Sequence, residues 1–217
     1  MIIESRLQKL NNELPSNVKL VAVSKFQPNH KIISAYNAGQ RVFAESRPQE
    51  LALKVKELPS DIQWHFIGHL QTNKLKLVLP YVSLIHSVDS LRLLNSIQTW
   101  ARENNMIISV LLEVHIAKED TKQGFNTDEL CDILNKRSVY PNILFNGLMA
   151  MASFTNDQSL ITSEFEEVSK VFSDLQERFP SISEFQELSI GMSQDYHLAI
   201  NAGSTMVRIG TYLFGDR

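Results

Sequence analysis

Short apolar runs alternate with amphipathic stretches along almost the whole chain. Leu20, Val21, Ala22 and Val23 form the first run, the length of a buried strand, and a helix is predicted behind it over 28–37. The pattern then repeats: strands over 41–43, 63–67 and 83–85, with helices over 48–58 and 73–79 between them. A fourth connection starts at Asp89 as N-cap, with Leu91, Leu94, Ile97 and Ala101 on one face. The run 107–114, rich in Ile, Val and Leu, is the strongest strand signal and is followed by a helix over 127–135. Strands over 142–148, 184–188 and 205–209 complete the series. Helices fall over 163–179 and 194–201, the first with Phe165, Val168, Phe172, Leu175 and Phe179 at helical spacing.

Strands that alternate with helices pair in parallel through right-handed crossovers. Eight such units predict a single (β/α)8 barrel of the TIM type over residues 1–217. The competing doubly wound open sheet is disfavoured by the even repeat and by the lack of a glycine-rich turn after the first strand.

Composition narrows this picture. Of 217 residues, 43% are hydrophobic and 21% charged, which fills a core and excludes a disordered chain. A net charge of −3 excludes a generally basic nucleic-acid surface, leaving only a local patch open. Cys131 is the one cysteine, so neither an internal disulfide nor a cysteine-built zinc site is possible, and its helical neighbours make it a small core hydrophobe. Residues 1–12 lack the basic segment and apolar run of a secretion signal, and no stretch approaches the ~18 apolar residues of a membrane span. A soluble, cytoplasmic, monomeric protein with neither nucleic-acid nor membrane partner is expected.

In such a barrel, chemistry sits at the C-terminal ends of the strands. Lys25 follows the first apolar run directly. It is either a solvated charge ending a strand or an amine desolvated enough to attack an aldehyde or ketone. Glycine clusters late in the chain, at Gly191, Gly203, Gly210 and Gly215. Gly191-Met192-Ser193 after the seventh strand and Gly203-Ser204-Thr205 before the eighth read as a phosphate cup, or as ordinary turns. Arg208, between Val207 and Ile209, either faces inward to an acceptor or outward to a helix carboxylate. His65 and His69 have metal spacing only on a helix, but His65 lies in a strand, so no metal is expected. Lys74, Lys76 and the run Lys118, Glu119, Asp120 and Lys122 read as solvated charges. A carbonyl-reactive lysine with a phosphate cup suits either pyridoxal 5′-phosphate (PLP) or a phosphorylated sugar in a lysine aldolase.

Whole motifs decide between these. The chain resembles the PLP homeostasis family, related to the N-terminal barrel domain of alanine racemase, across nearly all its length. The likeness lies in Leu20-Val21-Ala22-Val23-Ser24-Lys25, in 64–71 with Asn73 and Lys74, in Ser87-Val88-Asp89, in Lys122 with Gly124 and Phe125, and in Gly147-Leu148-Met149. The most specific stretch is C-terminal: Gly191-Met192-Ser193 with Asp195, Gly203-Ser204-Thr205, Val207-Arg208-Ile209-Gly210 and Phe214-Gly215 with Arg217. The resemblance implies that Lys25 holds PLP as a Schiff base, that Ser193, Gly203, Ser204 and Thr205 hold the phosphate, and that Arg208 faces the pyridine nitrogen. Met192 and Ser46 complete the implied set, although Ser46 stands where the family carries a longer asparagine.

It also implies a non-catalytic regulator or carrier of PLP that supplies apoenzymes. The alternative is a PLP-dependent amino-acid racemase or aldolase on the same barrel. A racemase of the related type draws a second base from a separate β-domain, whereas this sequence ends at Arg217, directly after the eighth unit. The carrier is therefore expected.

Overall fold

The computed structural model describes residues 2–116 and 124–215, so the charged run from Lys118 to Lys122 and Arg217 lie outside the described residues. Eight parallel strands close into a barrel in chain order: β1 Lys19–Val23, β2 Val42–Glu45, β3 Gln63–Phe66, β4 Val82–Val88, β5 Ile108–Glu113, β6 Ile143–Met149, β7 Glu187–Met192 and β8 Met206–Ile209. The helices are α1 Ile2–Glu13, α2 Asn29–Asn37, α3 Pro48–Glu57, α4 Leu91–Glu103, α5 Thr127–Asn135, α6 Gln158–Arg178, α7 Tyr196–Asn201 and α8 Thr211–Phe214. The expected single barrel is thus the fold. Among the described residues no helix is long and apolar enough to cross a membrane.

The strands read as continuous apolar runs because both their faces are buried. Val21, Val23, Ala44, Leu84, Leu111, Met149 and Met206 cluster inside the barrel. Leu20, Ala22 and Phe43 belong instead to the larger core between sheet and helices. The barrel closes with Lys19 beside Met206 and Val21 beside Arg208.

Several elements differ from the expected ones. The third connection is a 3-10 helix, Thr72–Leu77, rather than an α-helix over 73–79. Pro80 follows closely and disfavours α-conformation before it. The cap of α4 is Ser90, whose Oγ accepts from the Leu93 amide, not Asp89. Leu93 then joins Leu94, Ile97 and Ala101 on the buried face, and Leu91 is left 48% exposed. Strand β7 starts three residues later than expected, because Phe185 is held in a turn on Ile182 and stacks on Phe172. Helices α1 and α8, which bury Leu7 and Leu10 and Leu213 and Phe214, were not among the expected elements.

Two glycines shape the C-terminal rim. A Cβ on Gly68 would stand 2.1 Å from the Ser46 carbonyl oxygen, so the loops after β2 and β3 touch backbone to backbone. Gly191 has φ +92°, and a Cβ there would meet that of Ala199 at 2.5 Å, so glycine lets α7 settle onto the end of β7.

Candidate functional site

Lys25 follows β1 by two residues at the C-terminal rim, half-buried, in the turn that the Gln27 amide closes on the Ser24 carbonyl. Both its neighbours are pinned. The Ser24 hydroxyl donates to Glu45 Oε1 at 2.6 Å, and the Phe26 amide donates to Glu50 Oε1 at 2.6 Å. Lys54 Nζ joins the two halves, donating to the Ser24 carbonyl at 2.8 Å and to Glu45 and Glu50 at 2.7 Å each. Glu45 is fully buried and Lys54 5% exposed. Burial pushes the Glu45 carboxyl above the usual carboxylate range, against the pull of Lys54. Phe26 sits at φ +62°, a costly conformation for a non-glycine residue, held by this network and by the Arg47 guanidinium 4.3 Å from its ring centroid. Sequence reasoning missed Lys54 and Glu50. The one available signal was their i, i+4 spacing on a predicted helix, which usually marks an exposed pair.

Arg208 takes the inward of its two possible orientations. It is buried, with Nη1 donating to the Ser189 carbonyl at 2.6 Å and to Ser189 Oγ at 2.7 Å, and Nη2 to the Ala150 carbonyl at 2.9 Å. Burial lowers its pKa to about 10, opposed by Asp195 and Glu113, and it stays a cation at neutral pH. Ser189 Oγ lies 3.0 Å from His86 Nδ1, and His86 Nε2 lies 2.9 Å from His65 Nδ1. Burial pulls His65 down to about 3 and His86 well below the usual range, so both rings are neutral. His69 is separate from this chain: it is exposed and pairs with Asp89 at 3.1 Å. The His65 and His69 side chains therefore do not converge.

Glu113 closes β5 on the same rim. Its pKa is pushed up to about 7, first by burial and then by the Asp89 charge, with Arg208 and His69 pulling it down. This carboxyl also went unnoticed in the sequence, where an acidic residue ending an apolar strand was the only sign.

The expected phosphate cup is split by the structure. Ser193 lies beyond β7 on the Lys25 side, and its Oγ accepts from the Gly210 amide at 3.2 Å. Gly210 in turn lies against Val23 at the end of β1. Met192, the last residue of β7, is in register with Arg208 and partly exposed. Ser46 is half-buried at the rim beside Gly68.

Gly203, Ser204 and Thr205 are at the opposite end. The Thr205 carbonyl accepts from the Lys19 amide, and its Oγ1 accepts from the Leu188 amide and donates to Glu187. Ser204 is buried, with Oγ donating to the Ile190 carbonyl at 2.9 Å. The length of β8, about 13 Å at 3.3 Å per residue, separates them from the rim. The reason is topological: in a parallel barrel a loop preceding a strand opens on the N-terminal face, whatever its composition. The small residues that reach the Lys25 face follow β8, at Gly210 and Thr211. Cys131 is half-buried against the core, and Arg178 Nη1 donates to its sulfur at 3.1 Å.

The family described as "Alanine racemase, N-terminal domain" matches residues 2–217. The pyridoxal phosphate homeostasis protein of Aquifex aeolicus is 38% identical over 200 residues, covering 92% of this chain and 87% of its own length. That of Synechocystis sp. is 39% identical over 209 residues, covering 94% of each. Among solved structures, PipY of Synechococcus elongatus with PLP bound is 35% identical, with a TM-score of 0.90 over 98% of this chain and 100% of that one.

Proposed function

Because the chain belongs to the alanine racemase N-terminal domain family, and within it to the pyridoxal phosphate homeostasis proteins, we propose that it binds PLP in the C-terminal mouth of its barrel and holds it without turnover, as a reserve from which PLP-requiring apoenzymes are supplied. The observation that supports this reading is that a half-buried Lys25, the Ser193 hydroxyl and the Gly210 amide follow β1, β7 and β8 at the C-terminal end of the barrel, with the buried, inward Arg208 near the end of β8.

That donor set suits the ligand. PLP supplies an aldehyde that condenses with amines and a pyridine ring that withdraws electrons when its nitrogen is protonated. The Lys25 amine is the group that would condense with that aldehyde. Ser193 Oγ, the Gly210 N–H and the Thr211 hydroxyl hold the phosphate at the ends of β7 and β8, where barrels of this class place one. Met192 and Ser46 border the rim around them. Arg208 lies deeper and would donate to the pyridine nitrogen. A guanidinium is always charged and can only donate, so it keeps that nitrogen unprotonated. A ring in that state stabilises a neighbouring carbanion poorly, which supports holding over catalysis.

The direct test is the visible spectrum of the purified protein before and after PLP is added. An imine band that borohydride converts to a covalent adduct is expected. The phosphate assignment predicts that Ser193→Ala weakens PLP binding about tenfold, as loss of one charge-assisted hydrogen bond does. Pyridoxal lacking the phosphate should bind far more weakly than PLP, and equal affinities would rule the rim assignment out. Incubation with common amino acids is expected to give no multiple turnovers. Sustained racemisation, transamination or aldol cleavage, abolished by Lys25→Ala, would replace the carrier with an enzyme.

A further inference from the structure

A polar chain crosses the barrel interior from β3 to β8: His65, His86, Ser189 and Arg208, at 2.9, 3.0 and 2.7 Å. All four residues are buried, His86 and Ser189 completely. Burying three polar side chains beneath an arginine is costly unless each polar atom finds a partner. Giving the buried Ser189 hydroxyl proton an acceptor leaves one arrangement of protons along the chain.

Arg208 only donates, so Ser189 Oγ must accept from it. The single Ser189 hydroxyl proton then has the unprotonated Nδ1 of His86 as its acceptor. His86 must carry its proton on Nε2, where it donates to His65 Nδ1, and His65 carries its own on Nε2. The reverse direction would have Ser189 Oγ accept from both Arg208 and His86 and leave its hydroxyl proton buried without an acceptor. The chain is therefore a one-way series of donors that begins at a fixed positive charge. The neutrality of both rings accords with it.

Three of the five Arg208 N–H groups are used, two on Ser189 and one on the Ala150 carbonyl. Among the described residues the Nε proton and one Nη2 proton remain for a ligand. The Ser189 hydroxyl decides where they point, because it can accept from Arg208 in this geometry only while its own proton is taken up by His86.

We propose that His86, backed by His65, is a positioning residue that acts through Ser189 to aim the two remaining Arg208 donors at the ring nitrogen of a pyridine ligand in the barrel mouth. This rests on reading that mouth as the PLP site. His86 itself stays one residue removed from the ligand.

Two measurements test it. In the unmutated chain at pH 7, nitrogen-15 NMR of labelled histidine should show protonated Nε2 and unprotonated Nδ1 on both His65 and His86. A proton on Nδ1 of either ring overturns the assignment, and this result needs no variant to fold. PLP labelled with nitrogen-15 in its ring is then titrated into the unmutated protein, His86→Leu and His86→Asn. His86→Leu should raise the Kd about tenfold and shift the bound ring-nitrogen resonance. His86→Asn, whose side-chain oxygen stands near the Nδ1 position and accepts the Ser189 proton, should restore most of both. A merely space-filling role for His86 would leave the resonance unmoved, and unchanged affinity and resonance in His86→Leu overturn the proposal. Failure of the unmutated protein to take up PLP would sink the PLP reading and this proposal with it, an outcome distinct from normal uptake with no difference among variants.

Discussion

Lys25→Ala is expected to abolish the imine absorbance completely and to leave borohydride nothing to fix. Lys25 follows β1 at the C-terminal end of the barrel, and Arg208 lies on the paired strand β8. Because Lys25 is only half-buried, its truncation should change folding stability by no more than about 1 kcal/mol, which separates loss of chemistry from loss of fold. PLP should still associate through its phosphate and ring, reversibly and without the shifted band. The measurement is an absorbance titration of both proteins, followed by borohydride reduction and peptide mapping. Labelling of a different lysine in the unmutated protein would remove Lys25 from its role.

Lys54→Met should bring the largest stability loss, about 3–5 kcal/mol, as expected when one partner of a buried ion pair is removed and a carboxylate is left behind. For a chain of this length that is a Tm lower by roughly 10 °C. Methionine keeps the volume and the apolar stem, so the loss reports the missing ammonium, which bonds Glu45, Glu50 and the Ser24 carbonyl at once. The pH dependence follows from the direction of the Glu45 shift. Burial already raises this carboxyl, and without Lys54 it rises further, so the folded variant holds a proton that the unfolded chain releases. A group whose folded pKa is raised loses stability as pH climbs above its unfolded value, so the deficit should be smaller at pH 5 than at pH 8. Glu45→Gln combined with Lys54→Met should recover part of the loss by removing the uncompensated charge. Thermal melts at the two pH values test this, and a deficit below about 1 kcal/mol at pH 8 would show that the pair does not hold the loop. The same variant should form the imine more slowly, because Ser24 and Phe26, on either side of Lys25, lose their anchors.

The architecture was written in the order of apolar runs. Eight runs separated by amphipathic stretches admit few topologies, since parallel strands need crossovers and crossovers have one hand. The place of Lys25 was equally legible, because a strand that is apolar on both faces makes any charged residue at its C-terminal end conspicuous. Ser193 was read differently, from the small-residue run Gly191-Met192-Ser193 after the seventh strand, and the structure places it beyond β7 at that same end. The helix cap at Ser90 and the late start of β7 were not legible, because both depend on which side chains the packed layers admit, Leu93 in one case and Phe185 in the other.

Three features were decided only by tertiary structure. The first is which end of the barrel a small-residue segment reaches. Gly203-Ser204-Thr205 and Gly210-Thr211 flank the same four-residue strand and are alike in composition, yet they lie on opposite faces. The second is the worth of a charge. Lys54 and Lys56 sit on one helix two residues apart, and only the packing of α3 against β1 and β2 makes the first a buried junction. The third is the polar chain ending on Arg208, whose members come from β3, β4, β7 and β8. Alternation along a strand says that a residue faces inward, but it carries no information about which strand stands across the barrel. That is fixed only when β8 pairs with β1 and the sheet closes.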